Sequence, residues 1–238
     1  MEKLKEAYDY FCKIKNRKGM LYNNLTGEER FKGGKFLSYE LFSELVRLHS
    51  FDEKPQILTV REFDKIQSLP YYHGFREYEH GVDLIDGKDY HYGLGYISGL
   101  YFTDDRREAY DYSKWDNNKI LQIKINSDNY IDYDGLCGYK EALKRNRLSV
   151  IQDIGDRREI EKLLNFVKSQ DNKKMALSFY KTIMDNLSCL GVIIGVDYIT
   201  DGNYIIVLNR GKIITNDLDY ARFKVQINQQ QGQGGSQK

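Results

Sequence analysis

The chain has 238 residues, 41% of them hydrophobic, and Lys+Arg 36 against Asp+Glu 35 leaves a formal charge of +1. That length holds one substantial core rather than two independent domains, and the even charge balance excludes a nucleic-acid partner held by bulk electrostatics. Cys12, Cys137 and Cys189 show neither disulfide-framework nor metal-ligand spacing, and the charged N-terminus has no apolar signal core. The expectation is therefore a reducing, cytoplasmic setting with no signal peptide. The apolar run around Leu190–Val196 is far too short to span a bilayer.

In chain order, Leu4, Ala7, Tyr8, Phe11 and Ile14 follow helical spacing, and Asn16-Arg17-Lys18-Gly19 ends that run. After a polar stretch at 31–35, Ser38 is placed to cap a second helix with Leu41, Phe42, Leu45 and Leu48 as its apolar stripe. His49 falls at its end. Thr59 and Glu62 have capping-box spacing and open a short helix through Phe63 and Ile66. Tyr71–His73 is a short strand. Residues 75–95 lack periodicity and suit a loop, or a lid, bordering whatever site the strand serves.

Residues 95–112 are expected to run from a strand into a helix. Gly93, Gly95 and Gly99 relieve the backbone around Tyr101. Asp104 or Asp105 can cap the following helix, which carries Ala109 and Tyr112. Over 118–125, Leu121, Ile123 and Ile125 alternate with Gln122 and Lys124 as in a half-buried strand. Helical period returns near Asp156 (Ile160, Leu163, Leu164, Val167), then again over Ala176, Phe179, Tyr180, Ile183 and Leu187, as an antiparallel pair.

Strands follow: the short run Val192–Val196, then 203–209 and 212–215, with Asp201-Gly202 as a hairpin turn. The tail from 228 is too polar to be buried and should be disordered. Strands on both sides of a helical middle argue for an α+β fold. The domain plan is a helical extension over 1–55, a main domain over 56–227 with a helical insertion near 156–187, and the tail over 228–238.

Three segments carry chemistry: Tyr72-His73-Gly74; Gly99-Leu100-Tyr101-Phe102-Thr103-Asp104 with Ala109 and Tyr112; and Asp201-Gly202-Asn203 running through to Arg210. Together they resemble the ADP-ribosyltransferase superfamily, in particular its His–Tyr–Glu branch and the similar domains that bacteriophages encode. The resemblance covers about residues 56–215. It implies split mixed and antiparallel β-sheets with flanking helices, NAD as the ADP-ribose donor, and a macromolecular acceptor, a host or phage protein. The setting it implies is the host cytoplasm or the virion.

The resemblance also implies roles. His73 would bond a ribose hydroxyl, the Gly74 backbone would hold the nicotinamide carboxamide, and Tyr101 and Tyr112 would flank the flat ring, with Ser98 among the cofactor-binding residues. The branch's glutamate position is Asn203, which can hydrogen-bond a hydroxyl but cannot offset positive charge. Polymer synthesis is therefore not expected, and Asp201 or Asp197 is the candidate carboxylate beside Asn203. The implied activity is transfer of a single ADP-ribose with release of nicotinamide. NAD hydrolysis and a catalytically silent binding or virion module are the alternatives.

Each of these residue types also has an ordinary structural role. Tyr101 and Tyr112 taken singly are ordinary strand and helix positions. His73, His80 and His91 lack zinc spacing, so no metal site is expected. Lys144, Arg145 and Arg147 suit a solvated face. Asn209-Arg210 suits the end of a strand.

Overall fold

The computed structural model describes residues 1–16, 34–75, 98–145 and 157–222. The tail over 228–238 expected to be disordered, most of the 75–95 stretch expected as a loop, with His80, His91, Gly93 and Gly95, and also Arg147 lie outside the described residues. Two compact units emerge: one of Met1–Phe51, Leu94–Ser98 and Ile131–Val196, the other of Asp52–Gly93, Gly99–Tyr130 and Asp197–Lys238. The N-terminal helices thus share a unit with the helical middle, so the helices expected as an extension and as an insertion form one body.

The helical unit is built on the stripes read from sequence. Its helices are α1 (Glu2–Asn16), α2 (Gly34–Leu48), α5 (Tyr133–Lys144), α6 (Arg157–Ser169), α7 (Lys173–Asp185) and α8 (Leu187–Ile194). Leu4, Ala7, Tyr8, Phe11 and Ile14 of α1 are all buried. The Tyr8 ring meets Phe166 at 5.7 Å and Phe179 at 5.4 Å, both edge-on, which ties α1 to α6 and α7. Such pairs contribute about 1 kcal/mol each beyond the area they bury.

Two expectations are corrected here, and one helix is added. The 192–196 run is not a strand: every residue of α8 is buried and helical, Asn186 caps its start by accepting from the Ser188 N–H, and Gly195 ends it at φ +83°. A short, wholly apolar run carries no period that separates strand from helix. Ser38 is not a cap, because α2 begins before it; it is buried, and its carbonyl accepts from Asn186 Nδ2 at 3.4 Å. α5 carries little local signal in the sequence, since Gly135 and Gly138 dilute its helical character and only its Asp132 cap marks it, accepting from the Gly135 N–H at 2.5 Å.

The strands are β1 (Gln56–Leu58), β2 (Tyr71–Gly74), β3 (Leu100–Thr103), β4 (Ile120–Ile125), β5 (Tyr130–Asp132), β6 (Tyr198–Asp201), β7 (Tyr204–Val207) and β8 (Ile213–Asn216). They form a mixed α+β fold with an eight-stranded sheet in the order β1-β8-β4-β2-β3-β7-β6-β5. β1 runs parallel to β8, and the pairs of β2 with β3 and β4, β3 with β7, β4 with β8 and β6 with β7 are antiparallel. Split sheets were expected. The ladder order is instead continuous, yet it is held at its middle by one pair alone, Tyr72 opposite Thr103.

Short helices in this unit are α3 (Val60–Asp64) and α4 (Arg106–Tyr112), and 217–222 (α9) is also helical. The Thr59–Glu62 capping box forms as read. Lys124, expected on a polar face, is buried, and its ammonium donates to the carbonyls of Phe63 at 3.0 Å and Ile66 at 2.6 Å. It closes the carbonyl end of α3, where a cation is favoured. Arg210 is 1% exposed and donates to the backbone carbonyls of Asp52 and Glu53, a structural role. Among the described residues no helix is long and apolar enough to cross a membrane.

In the helical unit, burial pushes the His49 imidazole down to about 4, Lys3 adding to the effect and Glu159 opposing it. The folded value lies below the ordinary 6.5, so the unfolded chain binds the extra proton. Stability from His49 is complete above pH 6.5 and is lost as pH falls through 4. Urea midpoints at pH 7 and pH 4 should show wild type losing ~3 kcal/mol more than His49→Gln; equal losses would contradict the assignment.

Candidate functional site

The site candidates in the sheet unit lie around the junction of β2 and β3, and register explains how that junction is built. β2 pairs with β4 from Tyr71–Ile123 to Gly74–Ile120. Gln122 directs its N–H to Asp219 and its carbonyl to the Thr215 hydroxyl, away from β2. Antiparallel backbone groups alternate sides. Tyr71 and His73 therefore bond β4, while Tyr72 and Gly74 turn their N–H and C=O toward β3.

β3 has its own phase. The Asp104 N–H donates to the Asn203 carbonyl at 3.0 Å, continuing the Leu100–Val207 to Thr103–Tyr204 ladder. Phe102 and Leu100 then bond β7, and Thr103 and Tyr101 turn theirs toward β2. Tyr72 and Thr103 meet, but no pairing of Gly74 with Tyr101 follows, so the strands part there as a fork.

His73 bridges the fork: its Nδ1 lies 2.5 Å from the Tyr101 carbonyl oxygen. A carbonyl only accepts, so Nδ1 carries the proton and Nε2 is the acceptor of the neutral ring. The imidazole is half-buried, with ring centroids 4.6 Å from Phe75, 5.7 Å from Phe102 and 6.4 Å from Tyr112. His73 and Tyr112 thus come together side chain to side chain, and Tyr101 joins them through its backbone. The Tyr101 ring is half-buried.

Helix α4 supports this arrangement. Asp105, not Asp104, is its cap, accepting from the Arg107 N–H at 2.8 Å, and Thr103 Oγ1 donates to Glu108 at 2.9 Å. A Cβ on Gly74 would lie 2.0 Å from the Ala109 carbonyl oxygen and 3.0 Å from the Ser113 nitrogen, so only glycine lets α4 press onto β2. One on Gly99 (φ +149°) would lie 2.5 Å from Ile206 Cγ2. Tyr112, the last residue of α4, is 44% exposed.

The third segment forms the expected β6–β7 hairpin, with Asp201 opposite Tyr204 and Gly202 at φ +58°. Asp201 and Asn203 are both exposed at its tip. Asp197 is buried at the far end of β6, accepting from Ser127 Oγ at 2.5 Å and Asn209 Nδ2 at 2.6 Å. It fastens loops and is corrected from candidate carboxylate to structural residue. Ser98 is likewise held by structural hydrogen bonds. It is buried in the helical unit, its hydroxyl accepting from Asn186 at 3.0 Å and its carbonyl from Ser188.

Two features escaped sequence reasoning. From sequence Asp104 reads as a helix cap and as the end of the second motif segment, whereas its pairing with Asn203 is a long-range register. Trp115 is 72% exposed at φ +67° in the turn after α4, its indole N–H on Asp111 at 3.1 Å. No periodicity marks a single turn residue. Among the described residues no group of three or more His, Cys, Asp or Glu could hold a metal ion.

Around the fork, the Tyr101 carbonyl fixes the imidazole tautomer, Gly74 is buried against α4, and the Tyr112 ring is partly exposed. No family model matches the chain, nor does any curated protein or solved structure.

Gly74→Ala should destabilise the protein by ~2 kcal/mol through overpacking against α4. Gly202→Ala, with nothing within 4 Å of its Cβ, should cost only the ~1 kcal/mol of a left-handed alanine. Chemical denaturation of both variants measures the difference, and an equal cost would refute the close packing.

Proposed function

We propose that the chain is an ADP-ribosyltransferase-like protein that takes NAD as substrate at the β2–β3 fork and transfers one ADP-ribose to a protein acceptor, releasing nicotinamide. The observation that carries the reading is positional. The three segments of the sequence resemblance lie far apart along the chain, yet they occupy β2, β3 and β7, consecutive neighbours in the sheet. In this reading His73 Nε2 accepts from a ribose hydroxyl, and the Gly74 edge pairs with the carboxamide. Tyr101 and Tyr112 flank the nicotinamide ring, and the Asp201–Asn203 turn borders the ribose.

Asn203 limits the chemistry. Its amide orients a hydroxyl but leaves positive charge at the anomeric carbon unopposed, which favours single transfer or hydrolysis over polymer synthesis. The same residue favours the second reading, a catalytically silent binder of NAD acting on a host or phage partner.

Titration calorimetry tests the shared pocket. NAD should bind, and Tyr101→Ala should weaken binding about fivefold, the equivalent of ~1 kcal/mol of ring stacking. No heat at millimolar NAD would remove both readings. Labelled NAD incubated with protein and host lysate separates them: label on protein with free nicotinamide marks the transferase, free ADP-ribose the hydrolase, and intact NAD the silent binder.

A further inference from the structure

We propose that Tyr130 and Tyr198 form an oxidative modification site. Hydrogen peroxide acting through a haem peroxidase joins their rings as dityrosine and seals the place where the chain leaves and re-enters the sheet unit. Tyr130 opens β5 and Tyr198 opens β6, neighbouring strands at one edge of the sheet. Their rings stack with centroids 5.1 Å apart and planes 20° from parallel. Tyr130 is 53% exposed and meets an oxidant directly, whereas Tyr198 is buried. Exposure alone does not single out this pair, since Tyr204 on the next strand is 41% exposed. A second phenol in ring contact does.

The surrounding bonds hold the two rings together. The Asp197 N–H donates to the Asn129 carbonyl at 2.9 Å, and the Asp197 carboxylate accepts from Ser127 Oγ at 2.5 Å. Residues 127–130 and 197–198 are thereby clasped, with the stacked rings at the end of the clasp. The chain passes into the helical unit after Tyr130 and returns to the sheet unit at Asp197. A bond between the rings therefore closes residues 131–196 into a loop. It removes freedom from the unfolded chain that the folded chain has already given up.

The oxidation runs through contact. Loss of a hydrogen atom from the Tyr130 hydroxyl leaves a phenoxyl radical, whose unpaired electron spreads to the ring carbons beside the oxygen-bearing carbon. Tyr198 passes an electron and a proton to that radical and becomes a phenoxyl itself, and the regenerated Tyr130 phenol is oxidised a second time. Burial, then the Tyr71 and Tyr130 hydroxyls, push the Tyr198 phenol up to about 12, so its proton leaves together with an electron. The two phenoxyls form one carbon–carbon bond between ortho carbons, and the hydrogen displaced on each ring moves to its oxygen. Two phenols and one hydrogen peroxide give dityrosine and two waters: the rings lose two electrons and two protons, and the peroxide is reduced.

The test treats the full chain, at high dilution, with a haem peroxidase and hydrogen peroxide, and recovers the monomer. Dityrosine fluorescence, a mass loss of two hydrogen atoms and a linked peptide pair carrying residues 130 and 198 are expected. Tyr130→Phe and Tyr198→Phe, each checked for folding by thermal melting, should lower the yield by about tenfold or more, the advantage of held contact being lost. Tyr204→Phe should leave it unchanged, and wild type treated in urea should lose the 130–198 product. The linked monomer should unfold at a higher urea midpoint than Tyr130→Phe given the same treatment. The proposal is overturned if folded wild type yields no dityrosine, if either phenylalanine variant at 130 or 198 yields as much as wild type, or if the product joins separate chains. A linked monomer with an unraised midpoint overturns the clasp.

Discussion

Where β2 and β3 part, a side chain takes over from the backbone. The ladder between them is a single pair, Tyr72 with Thr103, and beyond it the His73 imidazole reaches the Tyr101 carbonyl. That bond engages the Tyr101 carbonyl where backbone pairing between the two strands stops. It also fixes which imidazole nitrogen holds the proton. The same contact that joins the two halves of the sheet therefore sets the chemistry of the fork.

The surroundings hold the fork in place by matching buried polar groups. Asp197 gathers Ser127 and Asn209. Lys124 closes α3 through Phe63 and Ile66, and Arg210 fastens the Asp52–Glu53 backbone. Each is a charged side chain whose hydrogen bonds end on groups that chain folding leaves unsatisfied, as burial of charge requires. Substitution of any of them would be felt as lost structure before lost chemistry.

Gly74 shows how helix packing and strand pairing share one residue. Its missing side chain admits the Ala109 carbonyl of α4 on one face. Its backbone edge meanwhile points into the fork, because Gln122 has turned the β4 pairing phase the other way. A larger residue would push α4 off β2 and carry Tyr112 away from His73. The aromatic ring, the imidazole and the strand edge are therefore one mechanical assembly.

The sequence by itself determined the elements whose signal is local. The α1, α6 and α7 stripes, the Thr59–Glu62 box, the β4 strand and the Asp201-Gly202 hairpin all form where period and turn chemistry place them. His73, Gly74, Tyr101 and Tyr112 are grouped in the sequence by motif alone, and the structure places them around the junction of β2 and β3. Tertiary structure decided the rest. The helical state of the apolar 187–194 run, the structural duties of Ser98, Ser38 and Asp197, the burial of Lys124 and the pairing of Asp104 with Asn203 each depend on a partner distant in the chain. Periodicity says which face of a segment is buried; it does not say against what, because register and partner are properties of two segments and a sequence window contains only one.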